Sequence, residues 1–113
     1  MAKRVSVTTG NTFEGYEIAE YLGVVRGLVV RVPTRRQRIR GLNEAFFEGG
    51  PNPYVLEVAT AVRDDAYAAM LEQARNVGAD AVIGVRCQTT PFSREGVTEG
   101  LAYGTAVKLR PGT

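Results

Sequence analysis

Residues 53–78 read PYVLEVATAVRDDAYAAMLEQARNVG, and this segment determines how the rest of the chain must be arranged. Its apolar residues recur at steps of three or four, which predicts one face of an α-helix. Asn52-Pro53 resembles a helix cap with proline in the first turn, and Gly78 is a typical stop. At about 1.5 Å per residue, such a helix is as long as a small domain is wide. It must therefore lie across a sheet, which the many alanines of its apolar stripe would allow to approach closely.

Two β-rich segments precede this helix. Residues 5–9 alternate valine with serine and threonine, a period of two that predicts a short strand. Residues 12–32 carry many β-branched and aromatic side chains, which also favours strand. Because glycines interrupt this second segment, we expect bulges or a bend in it. The glycines are Gly15, Gly23 and Gly27.

Two more strands are predicted after the helix. Residues 81–88 alternate so that Ile83, Val85 and Cys87 share one face. Residues 89–100 contain a proline and two glycines and are expected to form a polar loop. Residues 101–110 then predict the last strand.

A second, shorter helix is predicted between the strands and the long helix. Thr34 can cap residues 35–48, in which Ile39, Leu42 and Phe46 form one stripe. The chain is thus expected to be α+β, with an antiparallel sheet packed by two helices in the order strand-strand-helix-helix-strand-strand. Its 113 residues allow one domain, covering residues 1–113.

The composition excludes several chemistries. The chain has no histidine and one cysteine, and its formal net charge is +2. Without histidine there is no His-assisted nucleophile and no usual general base. A single cysteine excludes an intramolecular disulfide and fits a reducing cytosol, so we expect a cytoplasmic protein. No apolar run approaches the ~18 residues needed to cross a bilayer, so we expect no membrane partner.

Four separated blocks, in the same order, make the chain resemble the YbjQ-like family, which is catalogued as heavy-metal-binding. They are residues 12–18 (TFEGYEI), 21–27 (YLGVVRG), 78–86 (GADAVIGVR) and 103–107 (YGTAV). The resemblance implies a small α+β subunit, dodecin-like or YbjQ-like, that assembles into a cytoplasmic homopentameric ring. It implies no settled set of functional residues.

Oligomerisation also has a physical argument. A sheet of few strands under one long helix leaves strand edges open. Gly23, Gly27 and Gly104 lie in strand segments where another backbone could approach closely. A ring that joins subunits head to tail would satisfy every edge at once.

Cys87 is the candidate metal ligand. A ring of Cys87 thiolates, one per subunit, could bind a soft metal ion. The alternative is a small core residue, because the alternation places Cys87 on the face of Ile83 and Val85. The face assignment favours the core interpretation.

Arginines 35, 36, 38 and 40 are the candidate anion-binding residues. Six arginines fall within residues 26–40 with no acid among them, and a ring would repeat them as a positive band. Guanidinium groups suit phosphate and nucleic acid, but without interleaved aromatic residues we expect nucleic acid to be an improbable partner. The alternative is a solvated helix face. The candidates are Arg35, Arg36, Arg38 and Arg40.

The sequence therefore predicts a non-enzymatic homo-oligomer that binds a small ion or small molecule at subunit junctions or the ring axis, a soft metal ion being one possible cofactor. The alternative is a structural ring whose arginine-rich segment docks nucleic acid or an acidic protein.

Overall fold

The fold is α+β, as predicted, with one helix and four strands in the part of the chain that the computed structural model describes. That part comprises residues 4–32, 53–91 and 97–112, with backbone alone at 53–56. The helix predicted for residues 35–48 lies outside it, so an order with two consecutive helices is not supported. The elements are β1 (Ser6–Val7), β2 (Tyr16–Arg31), α1 (Pro53–Asn76), β3 (Ala81–Pro91) and β4 (Thr98–Pro111).

The sheet is mixed, which corrects the prediction of an antiparallel one. Its strand order is β1-β3-β4-β2. β4 pairs antiparallel with both of its neighbours, whereas β1 pairs parallel with β3. β2 and β3 flank β4 on opposite sides and run in the same direction. The connection through α1 must then cross from one side of β4 to the other, which no hairpin could do.

β3 and β4 are longer than the sequence predicted, whereas β1 and β2 are shorter than the predicted segments 5–9 and 12–32. Residues 89–91 and 98–100, expected to lie in a loop, pair with each other from Thr89↔Gly100 to Pro91↔Thr98. β2 has 16 residues and spans about 53 Å at roughly 3.3 Å per residue. α1 has 24 residues and is about 36 Å long at 1.5 Å per residue. The helix is thus shorter than the sheet that it covers.

α1 ends where the sequence predicted, and its stripe of small residues lies on the sheet. Gly78 has a φ of 77°, the left-handed conformation in which glycine ends a helix without steric strain. Along the helix, buried residues recur at steps of four, from Val62 through Ala66 and Met70 to Ala74. They pack mainly over β2 and β4. Ala66, Met70 and Ala74 belong to the main core, whereas Val62 forms a separate small cluster with Val58. The other members of the main core include Val25, Val82, Val85, Ala102 and Ala106.

Gly27 and Gly100 bring the helix into backbone contact with the sheet. A methyl carbon added to Gly27 would lie 2.6 Å from the backbone nitrogen of Met70, and one added to Gly100 would lie 2.7 Å from the carbonyl oxygen of Val62. Both distances are too short for any side chain. The close approach expected at Gly27 is therefore made by this chain's own helix, and not by another subunit.

The opposite face of the sheet is covered at one end. There Ala81, Ile83 and Val107 form a second buried cluster, against which the side chains of Phe13, Ile18 and Leu109 pack. The chain between β1 and β2 supplies Phe13, so the connection itself covers this end of the face.

The glycine contact at α1 predicts a specific stability defect. Gly27→Ala should lower the free energy of unfolding by about 2 kcal/mol, because the added methyl group must push α1 away from β2. Urea denaturation measures the loss. The matched control is Gly10→Ala, whose methyl carbon would meet only the Thr8 hydroxyl at 3.6 Å. Equal effects of the two changes would contradict the packing described.

Candidate functional site on the open face of the sheet

A β-bulge in β3 decides which side chains reach each face. Ile83 pairs with Thr105 and Arg86 with Tyr103, so Gly84 and Val85 together oppose the single residue Gly104. Gly84 has a φ of 62°, as the first residue of a glycine bulge requires. The bulge is held from the edge by the chain after β1, since the Gly84 N–H donates to the Gly10 carbonyl at 2.8 Å and the Val85 N–H to Thr8 at 3.1 Å.

The bulge overturns the predicted position of Cys87. One extra residue reverses the alternation, so Cys87 pairs with Ala102 on the helix side and lies on the face opposite to Ile83. Its side chain is exposed and not part of the core. It is exposed because α1 packs mainly over β2 and β4, while Cys87 lies in β3 beyond the part that pairs with β1.

Beyond the Phe13 cluster, no described residue covers the sheet face opposite the helix, and apolar side chains of β2 lie exposed on it. Cross-strand partners share a face, so the register defines its members. Val24, Leu28 and Val30 are 64%, 57% and 55% exposed. We call this surface the open sheet face; it comprises Val24, Arg26, Leu28 and Val30 of β2, Glu99, Leu101, Tyr103 and Thr105 of β4, and Arg86, Gln88 and Thr90 of β3.

A shallow groove of about 320 Å³ lies on the open sheet face. Among the described residues that line it, Val24, Leu101 and Tyr103 supply apolar and aromatic surface, and Arg26 supplies a positive charge. The described lining thus combines apolar contact with a cation.

Two strand edges border the open sheet face. β2 is an edge strand of the sheet, and β1 pairs with β3 only at Ala81 and Val82. One edge position of β2 is capped from the helix: the Arg26 N–H donates to Oε1 of Gln73 at 2.6 Å. Gln73 thus satisfies a backbone donor that an edge strand otherwise leaves to solvent or to another strand.

The ion pairs of the described residues lie on the surface. Arg110 pairs with Glu17 at 3.0 Å, and Arg31 pairs with Asp65 at 3.1 Å across β2 and α1. Exposed pairs of this kind contribute little to stability. The predicted anion-binding residues lie outside the described part of the chain, so their role stays a prediction. They are Arg35, Arg36, Arg38 and Arg40.

The described residues of one chain do not fit a heavy-metal centre. They contain no group of three or more His, Cys, Asp and Glu side chains that could hold a metal ion. Cys87 is the chain's one thiol, and the chain has no histidine, so a site with several thiolate ligands can be built only from several copies.

No helix in residues 53–91, nor elsewhere in the described ranges, is long and apolar enough to cross a membrane.

Sequence reasoning missed the open sheet face and the position of Tyr103 between two arginines. Valine pairs at 24–25 and 29–30 were the available signal, since they make both faces of β2 apolar. One helix can cover only one of those faces.

Fold and surface together define a class: a small α+β protein in which the helix covers one sheet face and the described residues leave the other partly uncovered. The chain belongs to the YbjQ-like family, whose model, described as "Putative heavy-metal-binding", matches residues 5–110. This confirms the resemblance found in the sequence.

Several relatives support the membership. A UPF0145 protein of Legionella pneumophila is 42% identical over 101 residues, which cover 89% of this chain and 94% of that protein. A UPF0145 protein of Thermus thermophilus is 41% identical over 108 residues, which cover 95% of this chain and 92% of that protein. A UPF0145 protein of Chromobacterium violaceum is 41% identical over 105 residues, which cover 93% of this chain and 88% of that protein.

The fold is also found in a crystal structure. A protein of unknown function from Pediococcus pentosaceus, of the DUF74 family, superposes with a TM-score of 0.60 and 16% identity. The match covers 94% of this chain and 98% of that one. At that identity the likeness concerns the fold alone.

The capped edge of β2 can be tested by hydrogen exchange. Gln73→Leu removes the acceptor and should speed exchange of the Arg26 amide about fivefold, as expected for a bond worth about 1 kcal/mol. Gln73→Glu is the matched control, because its carboxylate can still accept the bond. Identical exchange of this amide in both variants, followed by NMR, would show that Gln73 does not cap the edge.

Proposed function

We propose that this chain is the subunit of a homo-oligomeric, non-enzymatic binding protein, with small ions or small molecules held where subunits meet. The open sheet face is the observation that carries the proposal. Three aliphatic side chains of β2, each more than half exposed, adjoin Leu101 and Tyr103 on the same face. Contiguous apolar surface of this kind on a soluble chain usually marks an interaction site.

A second copy of the chain is the occupant that we propose for this face. The edges of β2 and of β3 beyond its β1 partner give a neighbouring copy backbone groups to pair with, next to the apolar surface. Contacts of one surface with a different surface of the next copy generate a closed ring when the rotation between copies closes. The family resemblance sets the expected number at five.

The absence of histidine supports a role in binding over one in catalysis. The chain lacks the side chain that most often transfers protons near neutral pH. The arginine-rich alternative, a ring that docks nucleic acid or an acidic protein, stays a prediction because residues 35–40 lie outside the described part of the chain.

A charge placed on the open sheet face should separate the copies. Native mass spectrometry of the unaltered protein should give five times the chain mass of 12.2 kDa. Leu28→Asp should shift the native mass toward that of one chain, because an aspartate buried against a neighbouring copy would lose its hydration without gaining a hydrogen-bond partner. Ala68→Asp, on an exposed position of α1, is the matched control and should keep a native mass of five times the chain mass. A single-chain mass for the unaltered protein would overturn the proposal.

Metal binding is a second candidate, favoured by the exposure of Cys87. A site of pooled thiolates would bind fewer than one soft metal ion per chain, since each copy supplies one ligand. Cadmium or copper(I) titrated into the oligomer by calorimetry should then give this substoichiometric binding.

Cys87→Ser should abolish the binding of either metal, and its native mass should equal that of the unaltered protein. Serine is nearly the same size but lacks the soft sulfur ligand, so the variant separates ligation from folding. Unchanged cadmium binding by Cys87→Ser would end the metal hypothesis and leave the oligomer proposal standing.

A further inference from the structure

Three side chains form a row across the open sheet face. Tyr103 is the register partner of Arg26 on one side and of Arg86 on the other. Side chains of directly opposed residues start about 4.5–5.5 Å apart. The side chain of Tyr103 thus starts between those of two arginines, on a surface that the helix leaves uncovered.

The two arginines are not equivalent. Nη1 of Arg86 donates to the carbonyl oxygens of Val85 and Thr9, at 2.8 and 3.0 Å, which fixes it beside the bulge. The guanidinium of Arg26 forms no hydrogen bond or ion pair with the residues that the structure describes. No described residue therefore occupies the donors of the Arg26 guanidinium, and it is Arg26 that lines the groove.

Among the described residues, no acid lies close enough on this face to compensate the charge of Arg26. Glu99, the described acid that shares the face, pairs with Val30, four residues along β2 from Arg26. Four residues of strand correspond to about 13 Å. At that distance and in contact with water, a carboxylate contributes little to neutralising Arg26.

We propose that the groove binds a small organic anion with a flat apolar body, the class to which aromatic carboxylates and aryl phosphates belong. A guanidinium presents a planar fork of donors that suits carboxylate and phosphate oxygens. Val24 and Leu101 offer aliphatic contact to the ligand body, and the Tyr103 ring offers an aromatic face. The volume of about 320 Å³ is at the small end of ligand pockets and fits a single-ring molecule.

This inference rests on the proposed function, because the groove is shallow on one chain and a second copy would close it. The ligand is thus assigned to the junction between subunits. Its class follows from Arg26 and the apolar lining, whatever the number of copies.

Three probes test the assignment on the assembled protein: benzoate, phenyl phosphate and neutral benzyl alcohol. Calorimetry should show one or both anions binding at least about tenfold more tightly than the alcohol, as a charge-assisted hydrogen bond predicts. The comparison of benzoate with phenyl phosphate shows which head group the site prefers. Equal binding of all three probes, or binding of none, would overturn the assignment.

Arg26→Gln should weaken binding of the preferred anion about tenfold and leave the binding of benzyl alcohol unchanged. Arg63→Gln is the matched control: it removes the same charge from an exposed position of α1 and should leave all three affinities as they were. An equal loss in both variants would show that general charge, and not the groove, attracts the anion.

Native mass spectra recorded without any probe keep this inference separate from the proposed function. An Arg26→Gln protein of unchanged subunit number that has lost the anion supports the site. An Arg26→Gln protein that falls apart would mean that Arg26 pairs with a neighbouring copy, which overturns the ligand site and leaves the oligomer intact. A single-chain mass for the unaltered protein would instead contradict the proposed function itself.

Discussion

Backbone contact between α1 and the sheet, at Gly27 and Gly100, is the constraint on which the rest of the structure depends. The two glycines leave no room for a side chain between helix and strands, so the helix lies directly on β2 and β4. This places Ala66, Met70 and Ala74 in the main core and Val62 over Gly100 in a separate small cluster. The same contact keeps the helix on one face of the sheet, so the other face must be covered by something other than the helix.

The cover of the face opposite α1 differs along the sheet. Near β1 the connection before β2 returns over the opposite face and places Phe13 on it. Farther along, the described residues provide no such cover, and Val24, Leu28 and Val30 remain exposed. The proposed oligomer follows from this division. One copy covers the helix side of its sheet and one end of the opposite face, and a second copy would cover the rest of that opposite face. The same division places Arg26 and Tyr103 where copies would meet.

Much of the fold could be predicted from the sequence, and the features that could not be predicted have physical reasons. The three-and-four spacing of α1 and its Gly78 stop were confirmed, as were an irregular β2 and the family itself. The predicted position of Cys87 was wrong because a single bulge residue reverses the alternation of side chains along β3. A glycine at position 84 does not by itself indicate a bulge. The parallel pairing of β1 was also missed, since strand partners far apart in the chain leave no local pattern.

A crystal structure of the assembled protein would test the central claim most directly, by the solvent exposure of the open sheet face. The account predicts that Val24, Leu28 and Val30 are buried against another copy of the chain, with the Arg26 groove at that junction. An assembly in which these side chains still face solvent, or in which residues 33–52 of the same chain cover them, would contradict it.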